Sequence, residues 1–188
     1  VHGDQEIVSV TRDNPRHRYT YRDAFQRTRQ LANAMASWSR ARRRVATLAW
    51  NDYRHFETYY AAACSGYVCH TINPRLFPEQ IVYIINHAED QVVFVDADFM
   101  PLIEAVAAQC PKVREWVVLT DEEHMPDTKL DNVTCYERLV HSHSDQFDWP
   151  ELDENARPVP CATPRARRAI PRACSTRTGP RCCTPTRR

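Results

Sequence analysis

Between residues 45 and 119, continuous apolar runs alternate with stretches in which apolar side chains recur every three or four positions. The run Val45-Ala46-Thr47-Leu48-Ala49-Trp50 has no polar alternation, which predicts a strand of the kind buried in a parallel sheet. A helix is expected from about His55 to Ser65, stopped by Gly66, and then a strand from Tyr67 to Ile72 ended by Asn73-Pro74. Pro78 suits the first helical position, and Ile81, Tyr83, Ile84 and Ile85 carry that helix to His87. Val92 to Val95, Pro101 to Cys110 and Val113 to Leu119 read as strand, helix and strand. The βαβ alternation predicts an α/β fold on an open, mostly parallel sheet.

Ahead of this block, Ile7 to Thr11 and Arg18 to Tyr21 are short β-prone runs around Asp13-Asn14-Pro15, which reads as a hairpin. Thr20 and Asp23 form a capping pattern that opens a helix to about Ser39. Phe25, Leu31, Ala32, Met35 and Trp38 are expected to form its core-facing stripe. Arg40 and Arg42 to Arg44 read as a solvated turn. From Thr120 to Asp148 the pattern dissolves into polar loop, apart from a short helix around Tyr136 to Val140.

Net charge changes the picture. The chain of 188 residues has a formal charge of +1, yet residues 156 to 188 hold nine of the 25 Lys+Arg and none of the 24 Asp+Glu. The remainder therefore carries 16 minus 24, or −8, a split typical of a basic interaction tail on an acidic domain. The eight cysteines show no C-x-x-C pair, and His141 and His143 flank Ser142 with no carboxylate or cysteine partner in register, so no metal site is expected. No apolar run approaches the roughly 18 residues that would span a bilayer, no signal peptide opens the chain, and cytoplasmic residence is the expectation. Only three glycines occur, Gly3, Gly66 and Gly179, and no G-x-x-x-x-G-K-[ST] or G-x-G-x-x-G is present. As translated, the chain lacks a backbone cradle for phosphate.

Two segments, H-T-I-N-P-R-L at 70 to 76 and I-I-N-H-A-E-D at 84 to 90, are the strongest matches in a region, residues 45 to 90, that resembles the N-terminal part of AMP-forming acyl-CoA synthetases. Y-T-Y-R-D-A at 19 to 24 and R-Q-L-A-N-A at 29 to 34 support it. Medium- and long-chain fatty-acid CoA ligases are the closest in kind, and the resemblance extends through F-D-W-P-E-L-D-E-N at 147 to 155. In that family a motif like Y-T-S-G-T-T-G-N-P-K-G-V, the phosphate loop of the adenylation site, follows soon afterwards. Here the chain departs from the pattern.

Arithmetic on the genetic code accounts for the departure. Codons can be chosen for Cys161 to Gly179 and the first two bases of Pro180 that, read from the third base, give R-Y-T-S-G-T-T-G-N-P-K-G-V-L-Y-S-H-R-S. In nearly every recovered codon two bases are fixed by the observed residues. The tail is therefore read as out of frame, as one lost or two added bases near the codons for Asn155 to Pro158 would produce, and it is expected to be disordered. It has no aromatic residue to stack on bases, so no specific nucleic-acid partner is expected. The rival reading is a small α/β module whose basic tail contacts nucleic acid or an acidic partner.

The division implied is a truncated N-terminal region of the synthetase domain at 1–155 and an out-of-frame tail at 156–188. The resemblance implies that the full-length parent uses fatty acid, ATP, Mg²⁺ and CoA to make an acyl-adenylate and then an acyl-CoA. For the chain as translated it implies no activity. No catalytic, cofactor-binding or metal-ligating residue is assigned. His70, Asn73, Arg75 and His87, the polar positions of the strongest matches, are expected to be scaffold that caps strand ends or helix termini. A sheet cut short is further expected to leave an open edge and uncovered faces such as Val45 to Trp50, favouring self-association.

Overall fold

The computed structural model describes residues 2–38, 44–152 and, for the backbone, 161–162. Two short strands, β1 (Glu6–Ser9) and β2 (His17–Thr20), pair antiparallel with Ile7 opposite Tyr19, forming the expected hairpin. Thr20 then caps α1 (Tyr21–Ser37). Its Oγ1 accepts from Asp23 N at 3.3 Å while Asp23 Oδ2 accepts from Thr20 N at 2.8 Å, which satisfies two amide donors that a helix start leaves unpaired. Leu31, Ala32 and Met35 are buried, as their spacing predicts. Phe25 is not: it is 53% exposed, because its flank of α1 faces Trp149 across 6.4 Å rather than the sheet.

The main sheet is built from β3 (Arg44–Leu48), β4 (Val68–Thr71), β5 (Val92–Val95), β6 (Glu115–Val118), β7 (Val133–Cys135) and β8 (Cys161–Ala162). Their order is β7-β6-β5-β3-β4-β8, and every neighbouring pair is parallel. Helices α2 (Tyr53–Cys64), α3 (Pro78–Ala88), α4 (Met100–Val106) and α5 (Tyr136–His141) connect or flank the strands. The helix read as Pro101 to Cys110 is α4 between two 3-10 turns, Ala97–Phe99 and Ala107–Gln109. β7 was not expected, since its three residues sit in a polar stretch.

Alternation along β3 divides the core in two. Val45 packs with Leu31, Met35, Ala61 and Tyr136 on the face covered by α1, α2 and α5. Ala46 and Leu48 pack with Ile81, Ile85 and Ile103 on the face covered by α3 and α4. The expectation of an uncovered Val45–Trp50 segment is thereby corrected: residues 45 to 48 are buried on both sides, and Trp50, two residues past the strand, is 46% exposed. Truncating a residue such as Leu31 to alanine would cost about 2–5 kcal/mol by the usual cavity penalty.

Arg44 of the basic run starts β3 and its Nη1 donates to Ala88 O; Arg40, Arg42 and Arg43 lie outside the described residues. Of the tail expected to be disordered, residues 161 and 162 form β8 beside β4, while 156–160 and 163–188 lie outside the described residues. Among the described residues, no helix is long and apolar enough to cross a membrane.

Candidate functional site

A cleft of about 750 Å³ opens at the carboxyl ends of β3 and β4, against α2. In open parallel sheets the loops leaving the strands at this end build ligand sites, because the strands themselves are sealed on both faces. Here the β3–α2 connection supplies Trp50 and Asp52, and the segment after β4 supplies Asn73 and Arg75. Asp52 is the N-cap of α2, its Oδ1 accepting from His55 N at 2.8 Å, which starts that helix two residues before the expected His55. Asn73 stiffens the other rim by accepting from Arg75 N at 3.0 Å. Ala162 of β8 stands opposite Thr71, another residue of the cleft wall.

Aromatic side chains dominate the α2 wall. Phe56 and Tyr60 pack with centroids 4.7 Å apart, Tyr59 meets Tyr60 edge-on at 6.1 Å, and both tyrosines are exposed. Deeper in, His55 Nε2 lies 3.1 Å from Thr47 Oγ1. Burial holds the His55 imidazole below its ordinary range, so it is neutral at pH 7. Among the described residues, the cleft thus combines an apolar wall with a neutral imidazole, two threonine hydroxyls and a single cationic side chain, Arg75.

This donor set does not fit a nucleotide triphosphate with its Mg²⁺. Among the described residues, neither Gly3 nor Gly66 lines the cleft, and no glycine-rich run of amides converges there. Asp13, Asp121 and His124 do bring ligand atoms within 4.8 Å of one another at a separate crevice. Asp13 is already paired with Arg54 Nη2 at 2.6 Å, however, and Asp121 Oδ1 accepts from His124 N. Burial pushes the Asp13 carboxyl up, yet the hydrogen bonds from Arg54 and Thr11 and the Arg54 charge together outweigh it and hold Asp13 down at about 2.

Beneath the hairpin, charges form a buried network. Arg27 donates from Nε to Glu57 at 2.8 Å and from Nη1 and Nη2 to Glu137 at 2.9 and 3.1 Å. Arg54 Nε and Tyr53 Oη also donate to Glu137, and Tyr136 Oη donates to Glu57 at 2.7 Å. Each carboxylate therefore has at least two donors, the condition under which buried charge is tolerated.

The polar residues singled out in the sequence separate into two groups. Asn73 and Arg75 reach the cleft rim. His70 is buried against Asp90, and His87 stacks on Tyr83 at 5.4 Å, both away from the cleft. His141 and His143 end α5, where His143 Nδ1 sits 2.9 Å from Leu139 O. Sequence reasoning missed Trp50, His55, Tyr59 and Tyr60. Tyr59-Tyr60, two aromatics in succession on one helix, was an available signal, because a helix cannot bury both adjacent positions equally well.

The family model described as AMP-binding enzyme matches residues 1–167. A 3-methylmercaptopropionyl-CoA ligase of Ruegeria lacuscaerulensis is 41% identical over 163 residues, covering 86% of this chain and 30% of the relative. A medium-chain-fatty-acid–CoA ligase of Ectopseudomonas oleovorans is 40% identical with the same coverage, and a long-chain-fatty-acid–CoA ligase of Thermus thermophilus is 38% identical over 150 residues, 27% of its length. The chain thus spans about 30% of the length of these curated relatives. Among solved structures, the anthranilate CoA ligase AuaEII in complex with anthranoyl-AMP superimposes with a TM-score of 0.71 over 80% of this chain and 28% of that one; at 17% identity this shows the shared fold.

Proposed function

Because this chain belongs to the AMP-binding enzyme family and its relatives are acyl-CoA ligases, we propose that it forms the amino-terminal part of a fatty-acid CoA ligase. The cleft between β3, β4 and α2 is then one wall of the substrate site of the full-length parent. The observation that carries this reading is positional: Trp50 and Asp52 after β3 and Asn73 and Arg75 after β4 meet at the carboxyl ends of neighbouring parallel strands, where such sheets bind their ligands.

In the parent reaction a fatty-acid carboxylate, a poor acyl donor, is adenylated with ATP and Mg²⁺ before transfer to CoA. Stabilising charge on the phosphoryl oxygens requires converging amides, hydroxyls and a lysine. The 188 residues supply no such loop in their translated frame, and the motif recoverable from residues 161–179 supports reading 156–188 as out of frame. The chain by itself is accordingly inactive as a ligase. In this reading its tail has no specific nucleic-acid partner, its shortened sheet self-associates through the β8 edge, and it resides in the cytoplasm, where buried thiols such as Cys69 and Cys110 stay reduced.

The test is direct. Purified chain incubated with octanoate, ATP, Mg²⁺ and CoA is expected to release neither AMP nor octanoyl-CoA. Turnover above a no-enzyme control would overturn the proposal.

A further inference from the structure

His17 on β2 lies flat against Tyr53 of α2, with ring centroids 3.7 Å apart and planes at 10°. Tyr19 closes the corner edge-on, 4.8 Å from His17 and 5.6 Å from Tyr53. These rings join the hairpin to the body of the protein. Tyr19, Ala24 and Tyr53, with Ile7 and Phe56 beside them, form a small cluster separate from the two cores that sandwich the main sheet. A segment held by so little buried apolar surface opens at a lower free energy than the core does. Besides the rings, the hairpin is tied down by Ser9 Oγ, which accepts from Tyr53 N at 3.1 Å, by Asp13, which accepts from Arg54, and by the exposed Arg12–Asp98 pair.

The surroundings of His17 suit only its neutral form. Its Nε2 is buried, and no group among the described residues bonds it. A neutral imidazole leaves one nitrogen without a proton, whereas an imidazolium would hold an N–H at Nε2 with nothing to receive it. The charged groups facing the ring are Arg27 from α1, Arg54 from α2, Glu137 from α5 and Asp13 from the β1–β2 turn. Both carboxylates are engaged already: Glu137 accepts from Arg27, Arg54 and Tyr53, and Asp13 from Arg54. Glu57, the other carboxylate of the network, is held by Arg27 and Tyr136. The Tyr53 ring also has its cations, with the guanidinium carbons of Arg54 and Arg27 at 4.8 and 5.6 Å from its centroid. The phenols of Tyr19 and Tyr53 stay neutral, pushed well above their ordinary range by burial. Burial, and then the charges of Arg27 and Arg54, hold the His17 imidazole below its ordinary range against the pull of Glu137 and Asp13.

We propose that His17 is an acid-sensitive latch: protonation of its ring expels it from the Tyr53 stack and frees the hairpin, residues 6–20, from α2. The new cation reaches water only when the hairpin swings out. A histidine that binds its proton less well closed than open makes closure less favourable as pH falls below its ordinary value of 6.5. One proton per opening limits the effect to about tenfold per pH unit. The main sheet is not part of this cluster and stays folded. The latch is independent of whatever reaction the parent performs.

Hydrogen–deuterium exchange of the 188-residue chain from pH 7.5 to 5.0, corrected for the intrinsic pH dependence of exchange, tests this. Amides of β1 and β2 should show an opening constant that rises by up to about tenfold per pH unit below 6.5, while those of β3 and β5 should show no rise. His17→Phe keeps a flat ring against Tyr53 and cannot take the proton, so its hairpin should open to the same extent at every pH. Asp96→Asn, which removes a raised carboxylate outside this cluster, should leave the rise unchanged. The His17 ring signals of the wild-type chain, followed by NMR, should titrate with a midpoint below 6.5, a readout that does not require any variant to fold. A level hairpin in the wild-type chain, an equal rise in a folded His17→Phe, or a His17 midpoint at or above 6.5 would each overturn the proposal.

Discussion

His70 Nδ1 lies 2.7 Å from Asp90 Oδ2, with 2% and 0% of the two side chains exposed. The two segments that carry the strongest family resemblance, 70 to 76 and 84 to 90, therefore meet through this contact. Burial pushes the Asp90 carboxyl above its ordinary range, and the hydrogen bond from His70 opposes that shift. His70→Leu would strand a carboxylate already lacking a partner at Oδ1, and it should destabilise the chain by about 3–5 kcal/mol. Asp90→Asn keeps an acceptor and removes the charge, so it should cost clearly less. Urea unfolding of both variants checks this; equal losses would show that the buried charge is not the issue.

Asp96, at the end of β5, should make stability depend on pH. Burial, and then the charges of Asp52 and Asp98, push its carboxyl up to about 6 against the hydrogen bond it accepts from Asp98 N. A raised acid binds more protons folded than unfolded between its ordinary value of 3.8 and about 6, so stability falls as pH rises through that window. Asp96→Asn removes the titration. Its advantage over the wild-type chain should open between pH 4 and pH 6, approach about 3 kcal/mol at most, and stay level above. A constant difference across pH 4 to 8 in urea unfolding would contradict this.

The reading frame is checked at the DNA. Sequencing across the codons for Asn155 to Pro158 and beyond should reveal a base whose restoration continues the chain into T-S-G-T-T-G-N-P-K-G. A frame confirmed as written, with no such motif in any frame downstream, would leave the basic tail as a genuine feature.

Much of the fold is legible in the sequence because each central strand is a short apolar run and each helix has a local start signal. Thr20-x-x-Asp23 and Pro78 act within one turn, so they are read without knowing the fold. Phe25 and Trp50 were misplaced because periodicity fixes a helix face or a strand run but not where its covered edge ends. β7 is too short to show alternation, and it exists because β6 offers an edge to pair with. The cleft was hidden for a different reason: its walls, Trp50, Tyr59 and Arg75, come together only when β3 and β4 pair. Glu57 did carry a hint, since Tyr53 and Ala61, one turn either side, are buried on the same face.

The network centred on Glu137 also has a timetable. Arg27 and Arg54 leave the ribosome long before the carboxylate they share, with 110 and 83 residues between partners. At about 5–20 residues per second, Arg54 waits roughly 4–17 s for Glu137 during synthesis. Through that interval the acidic partners of the two arginines already synthesised are Glu57 and Asp13. Arrival of α5 is then the step that locks the amino-terminal third of the chain, so a nascent chain stalled before residue 137 should be open to proteases in α1 and α2 and one stalled well beyond it should not.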